Sequence, residues 1–514
     1  MPKLSIKEKN AKIVGAALAE VIPQSETWWF RQPHLARLNL LLLVPLLSSS
    51  VAGYDGSLMN GLQALPQWNS DFGYPTGYTL GLVNAIMPIA MFLALPILPM
   101  ISDRFGRKVP ILIGGAGVIV ASLIQLFSVN YGMFVFSRAI LGFCGSFMIQ
   151  PSALLIAELA YPTHRGKYTA AFFTMYYFGG IIASWITFAA QDLHGSLAWK
   201  VPTIFQAVLP LVQVCCIWFV PQSPRWLVAN DRVQDASVLL SRIHDPTPES
   251  QLVARELSEM VESIHMEKEA ALTTWRSLVA TPGNRKRVAV AICVGLFAQW
   301  NGVAVVSYYL SKVLTSVGIT STFDQTLING MLQIFNFGAA LIGAFLVDRL
   351  GRRLLFLWST AGMLVTYIVW TACSAVNAET GNSAAGIMVV VCMFFYYFHY
   401  DIAYTPLLIA YPTEIFPYSL RAKGLALEFY FNSGGLVIGQ FVNPIGMENI
   451  GWHYYIVFCV LLLIMLIVVY LLFPETKGHS LEEIAFIFDG PQAETSLAMD
   501  KRVEAETVEH KEHV

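Results

Sequence analysis

Long apolar runs separated by short polar loops fill this chain, and the pattern breaks only once at length, between Pro221 and Arg287. That stretch carries nine Lys/Arg and nine Asp/Glu. Six apolar runs precede it, near 38–62, 77–101, 109–128, 131–157, 169–190 and 201–220. Six follow, near 288–314, 325–347, 354–375, 386–411, 423–445 and 453–473. Segments of roughly 20 apolar residues are what a ~30 Å hydrocarbon layer demands, and a soluble core could not absorb twelve of them. The pattern predicts an all-α membrane protein: two six-helix halves, 37–220 and 288–488, joined by a polar linker, 221–287.

Composition agrees. The 514 residues are 55% hydrophobic and 13% charged, against about 25% charged in soluble domains. A net charge of −2 points to no nucleic-acid partner. The seven cysteines all fall inside expected spans and read as small apolar packing residues, not as a disulfide framework or a metal site. About 37 polar or mixed residues precede the first run, so no cleavable signal peptide is evident. No nucleophile elbow, phosphate loop or Cys/His metal spacing is present, so neither an enzyme nor a cofactor is expected. The Asn-Gly pairs at Asn60 and Asn301 lie in or beside spans and signal no hairpin.

Basic residues set the orientation. Arg104, Arg107 and Lys108, Arg165 and Lys167, the linker, Arg349, Arg352 and Arg353, and Arg421 all follow even-numbered spans. The opposite loops hold almost none, which predicts cytosolic termini. The linker carries apolar residues at helical spacing in 231–243 and 248–268 and is expected to form short cytosolic helices. Residues 480–488 read as one more amphipathic helix, and 1–36 and 489–514 as polar cytosolic segments, the last disordered.

The two halves repeat short signatures. Asp103-Arg104-Phe105-Gly106-Arg107 is matched by Asp348-Arg349-Leu350-Gly351-Arg352. Glu158 stands seven residues before Arg165, and Glu414 seven before Arg421. Pro221-Gln222-Ser223-Pro224-Arg225 closes the first half and Pro474-Glu475-Thr476-Lys477-Gly478 the second. Parallel repeats of this kind build some transporters. With Gly53-Tyr54-Asp55 in span 1, these residues resemble the sugar-porter branch of the major facilitator superfamily over about 38–488. Ile402–Leu407 and Ser307–Leu310 look most like its fungal lactose-permease-like group. Gln222 departs from the Glu usual there, which weakens one expected inner-face ion pair.

An ionisable group inside a span is by default a functional hypothesis. Asp55 is the only carboxylate in span 1, and Arg138 in span 4 stands at a similar depth, both ~10 Å below the outer boundary at 1.5 Å per residue. The resemblance makes them a proton-coupling pair; a permanent ion pair joining the two spans is the alternative. Gln299, Asn336, Asp401 and Asn432 share a depth ~14–16 Å from the cytosolic face, near the midplane. Their amides and carboxylate suit sugar hydroxyls, and they match the family's sugar-contacting positions; interhelical hydrogen bonding is the competing reading. Tyr404, Tyr308, Tyr309 and Trp300 could add stacking faces. Ala298, Ala304, Phe173, Ile409 and Leu436 stand where the family commonly has polar residues or a tryptophan, so the expected site is less polar than a hexose porter's.

In the family, Asp103, Arg104, Arg107, Glu158 and Arg165, with Asp348, Arg349, Arg352, Glu414 and Arg421, form inner-face pairs that hold the halves together while the site opens outward. Glu428 in span 11 has no assignment; packing and coupling are both open. The expectation is a monomeric plasma-membrane sugar–proton symporter, for a disaccharide or glycoside-like substrate, with the lipid bilayer, protons and the sugar as its partners. Passive facilitation, a quinate-like or glycosylated non-sugar substrate, and a non-transporting sugar sensor are the alternatives.

Overall fold

Caps and prolines, more than hydrophobicity, decide where each helix begins and ends. The computed structural model describes residues 20–23, 28–271, 274–477 and 481–489. Among them the first half contains α1 (Pro33–Ala64), α2 (Gly77–Ala94, resuming as Ile97–Phe105), α3 (Lys108–Leu126), α4 (Tyr131–Leu159), α5 (Pro162–Ala190) and α6 (Leu197–Phe205, resuming as Val208–Cys216). The second contains α7 (Pro282–Trp300, resuming as Val303–Ser316), α8 (Thr322–Leu350), α9 (Arg352–Thr380), α10 (Ser383–Ile415), α11 (Tyr418–Ile450) and α12 (Tyr454–Leu472). Eleven apolar segments are long enough to cross a membrane; the last, Leu420–Leu472, holds both α11 and α12 around the turn Gly451–His453.

Several helices outrun the apolar stretches that announced them. α5 starts at Pro162 and not near 169, because a proline fits the first helical turn and the helix needs no lipid there. Side-chain caps fix other starts: Asn130 accepts from Met133 N, and Ser321 from Asp324 N. The breaks also have local causes. Pro96 cannot donate to Phe92, so α2 restarts at Ile97. Pro210 leaves the Gln206 carbonyl without its helical donor, so α6 is interrupted at 206–207. α7 breaks where Gly302 takes φ +100°, a left-handed conformation; Tyr367 would also collide with a side chain there. Asn301 is no hairpin residue: its Oδ1 accepts from Val303 N and from the Tyr396 hydroxyl, stitching the broken turn.

Between the halves, α2 packs on α11 and α5 on α8, with α1 against α7. The loops carrying the repeated Asp-Arg-x-Gly-Arg signature mark one end of the bundle, the linker end. Four helices follow α6 at that end: Pro224–Ala229, Val233–Ile243, Gln251–Ala271 and Ser277–Ala280. Ile243 and Leu252 pack with Leu35, Leu38, Leu155 and Leu159, docking the linker under the first half. His244 fastens this contact, its Nδ1 2.7 Å from Glu256 and its Nε2 3.1 Å from the Leu159 carbonyl. The helix expected near 480–488 is Leu481–Asp489, and Asp489 pairs with Arg287 at the start of α7 at 2.8 Å. The tail from 490 and most of the N-terminal segment, 1–19, lie outside the described residues.

Candidate functional site

Asp55 and Arg138 meet in the first half, 3% and 1% exposed. Arg138 donates from Nη1 to Asp55 Oδ1 at 3.2 Å and from Nε to the Val83 carbonyl at 2.7 Å. Gln206 donates to the same Oδ1 at 2.8 Å. An ion pair this deep survives only when geometry and extra hydrogen bonds offset desolvation, and both are supplied here. A cavity of about 20 Å³, large enough for one water, adjoins Asp55, Gln206 and Ser48. Toward the linker end Ser48, Ser152 and Gln213 form a second buried cluster, with Ser48 Oγ 2.7 Å from both Ser152 Oγ and Gln213 Nε2. Sequence reasoning passed over Gln206 and Gln213; their separation of seven residues, two helical turns, was the available signal.

In the second half Gln299 donates to Asn432 Oδ1 at 2.6 Å, joining α7 to α11. Asn336 on α8 is 1% exposed, and neither its Oδ1 nor its Nδ2 has a partner among the described residues. Asp401 on α10 is fully buried: its Oδ1 accepts from the Tyr177 hydroxyl of α5 at 2.5 Å and from Thr405 at 2.9 Å, and its Oδ2 from no described residue. The layer is staggered, not flat. Tyr400 donates to the Ala298 carbonyl, which sets Gln299 beside Asp401's level. Phe335, next to Asn336, packs on Phe394 and Phe398, a turn or so farther from the linker end. Sequence reasoning gave no hint of Tyr177.

Of the aromatic candidates, Tyr308 is half-buried and packs against the first-half cluster around Trp68, its carbonyl accepting from Gln63. Tyr404 departs from expectation. It is buried in the second-half core, its hydroxyl 2.9 Å from Thr360 of α9 and its ring packed on Phe356 and Tyr400, so ring and hydroxyl are both engaged within that half. Tyr309 bonds Gln440 and Trp300 bonds the Gly435 carbonyl, both within the second half. Phe173 packs with Leu46 and Ile156, while Ala298 and Ala304 are buried.

At the linker end the repeated signatures fold alike. Arg107 grips Glu158 with two bonds of 3.2 Å, and also reaches Asp103 at 3.0 Å. Arg352 grips Glu414 at 2.9 Å. Gly106 and Gly351 both take positive φ, and a Cβ on either would strike Gln222 or Glu475. The reason is a shared cap: Gln222 Oε1 accepts from Arg107 N, while Glu475 accepts from Arg352 N and Arg353 N at the start of α9. Gln222 therefore keeps the cap and lacks only its charge. Burial pushes the Glu475 carboxyl up, but four backbone N–H donors outweigh it and hold the group below its usual range.

In this state each of these ion pairs lies within a single half, so neither ties the halves together. Arg104 and Arg165 are exposed and form no ion pair among the described residues, and Arg421 is half-buried. The side chains of Asp348 and Arg349 lie outside the described residues. Apart from the Tyr177–Asp401 bond in the middle layer, the hydrogen bonds that cross between halves among the described residues cluster away from the linker end. Asn60 reaches the carbonyls of Val306 and Ser307, Gln63 that of Tyr308, Thr326 meets Gln191, and Asn329 meets Ser57. The far end is closed.

Comparison with known proteins adds a family. The model of the sugar (and other) transporter family matches residues 41–488. The MFS-type transporter oryC of Aspergillus oryzae is 28% identical over 85% of this chain and 82% of its own length. A high-affinity glucose transporter of Kluyveromyces lactis is 27% identical, over 89% and 86%. Among solved structures, the inward-open conformation of the xylose transporter XylE from E. coli superposes with a TM-score of 0.73 at 21% identity, covering 88% of this chain and all of that one. The proton:xylose symporter XylE bound to 6-bromo-6-deoxy-D-glucose gives 0.71, also at 21% identity, over 88% and 99%. The fold is the twelve-helix major facilitator fold.

Proposed function

Because the chain belongs to the sugar (and other) transporter family, a family of membrane transporters and not of enzymes, we propose that it is a sugar–proton symporter working by alternating access. The observation that carries this reading is the buried Asp55–Arg138–Gln206 cluster. It is a carboxylate whose charge is balanced by one arginine, in a half separate from the polar layer of the other. Protonating Asp55 removes its hold on Arg138 and frees the first half to move, so proton binding and rocking share one energy term.

The sugar lies between the halves, against Gln299, Asn336, Asp401 and Asn432, with Tyr308 of the same half beside the first-half cluster around Trp68. The idle polar atoms of Asn336 and Asp401 Oδ2 are the open valences it fills. The linker end and the two termini face the cytosol, a reading the basic loops support, and the membrane is the plasma membrane. With its far end sealed, the molecule is in its inward-facing or occluded form. Few hydroxyl partners and the apolar Phe173, Ala298, Ala304 and Ile409 favour a disaccharide or glycoside over a simple hexose. Several relatives are named as glucose transporters, which supports the sugar and leaves its size to experiment. The test is uptake of a panel of mono- and disaccharides into liposomes holding the purified protein, with and without an imposed pH gradient. Uptake that ignores the gradient reduces the protein to a facilitator, and a panel with no transported sugar overturns the substrate class.

A further inference from the structure

Among the described residues, three carboxylates lie deepest within the spanning helices: Asp55, Asp401 and Glu428. Asp55 has Arg138 and Gln206, and Asp401 has Tyr177 and Thr405. Glu428 is fully buried, and neither of its oxygens has a hydrogen-bond partner among the described residues. Its helix, α11, meets α7 in backbone contact there: a Cβ on Gly295 would stand 2.5 Å from the Glu428 carbonyl oxygen and 3.0 Å from Asn432 N. Asn432 follows one turn along, its Oδ1 taken by Gln299. Glu428 thus sits one turn, ~6 Å, on the linker side of the Gln299–Asn432 bond.

The charged and titratable groups on the elements packed around it are engaged elsewhere or stand at a distance in sequence. On α7, Arg287 is held by Asp489, Asn284 and the Ile415 carbonyl, two turns before Gly295. On α10, Tyr404 is bonded to Thr360, and Glu414 to Arg352. On α2, Tyr78 stacks on Phe441 toward the far end. On α12, Tyr454 bonds Asn443. Arg421 and Lys423 lie toward the linker end of α11 itself, where the charged helix Gln251–Ala271 packs. None of these groups reaches the Glu428 carboxyl with a hydrogen bond or ion pair. An unpaired carboxylate in such a place costs several kcal/mol, so the group is a neutral acid in this state. A side chain serving as interhelical glue would be bonded to another helix; the polar side chain beside this one is Asn432, on its own helix.

We propose that Glu428 is a second proton-binding site of the transport cycle, protonated while the helices close over it and deprotonated when the linker end opens to water. The proposal rests on the reading of the chain as a proton-coupled transporter. Opening hydrates the carboxyl, its O–H bond breaks, and the proton passes to cytosolic water. The state-dependent proton affinity of one group is then a coupling energy between pH and conformation.

Infrared difference spectroscopy of wild type against Glu428→Gln tests it without any substrate. A protonated-carboxyl stretch at neutral pH must be present in the wild type, absent in Glu428→Gln and displaced in Glu428→Asp. No such band at neutral pH overturns the proposal, whatever the protein transports. Proton and sugar fluxes in liposomes supply the second arm. Glu428→Gln should move one proton fewer per sugar and lose the dependence of uptake on internal pH, while Asp55→Asn keeps the infrared band. An unchanged ratio and pH profile in Glu428→Gln overturns the role of Glu428 alone. A wild type that moves sugar without protons overturns the coupling reading, and this proposal with it.

Discussion

The Tyr177 hydroxyl of α5 donates to the Asp401 carboxylate of α10, a bond between the two halves at the level where a substrate is proposed to sit. Tyr177 occupies the carboxylate as a sugar hydroxyl would. A substrate entering the layer must displace it, and the exchange costs little because one O–H donor replaces another.

Tyr177→Phe is therefore expected to tighten sugar binding several-fold, about fivefold on the scale of one ordinary hydrogen bond, while slowing turnover because the empty carrier loses a bridge. Equilibrium binding and liposome uptake measure the two. Weaker binding in this variant makes Tyr177 a substrate contact.

Asp55→Asn should abolish concentrative uptake under a pH gradient and spare counterflow exchange, which needs no net proton movement. It should also lower thermal stability, because Arg138 is left as an uncompensated buried charge; breaking such a pair costs about 3–5 kcal/mol. Continued accumulation against a gradient would remove Asp55 from the coupling mechanism.

The polar layer separates into two kinds of residue. Gln299→Ala and Asn432→Ala should each weaken binding by roughly 1–3 kcal/mol, about five- to two-hundred-fold. Since the two bond each other, the double variant should fall short of the sum. Asn336 makes no bond of its own, so Asn336→Ala should raise the melting temperature while weakening binding. A loss of stability there would mean that the amide is structural.

Arg107→Ala and Arg352→Ala strand Glu158 and Glu414 and should loosen each half locally, raising cysteine labelling near these loops. Arg104→Ala, which removes an exposed side chain, should change neither labelling nor stability. Equal effects from all three would return these arginines to a shared role.

Glu475 gives a pH test. Its folded pKa lies below the unfolded value, so its capping contribution is fully present above the ordinary glutamate range and is lost as pH falls through the folded value. Glu475→Gln should remove that acid-side loss while retaining a weaker cap, as Gln222 does in the first half. Stability of wild type and variant should converge at acid pH in thermal scans; a constant gap would assign the difference to packing.

Sequence alone determined the twelve helices, their division by a charged linker and the repeated loops, because lipid imposes a length and an apolarity that few other structures satisfy. It also singled out Asp55 and Arg138, since charge inside a span is rare. The tertiary structure decided pairing. Gln206 reaches Asp55 from α6, and Tyr177 reaches Asp401 because α5 and α10 meet across the halves. Tyr404 shared every outward sign of a ligand-facing aromatic yet turns toward Thr360, because the rotation of a helix that is apolar nearly all round is set by its neighbours. The Arg107–Glu158 and Arg352–Glu414 bonds fell within halves for the same reason. Composition fixes which groups must find partners, but which partner each one finds depends on packing between segments far apart in the chain.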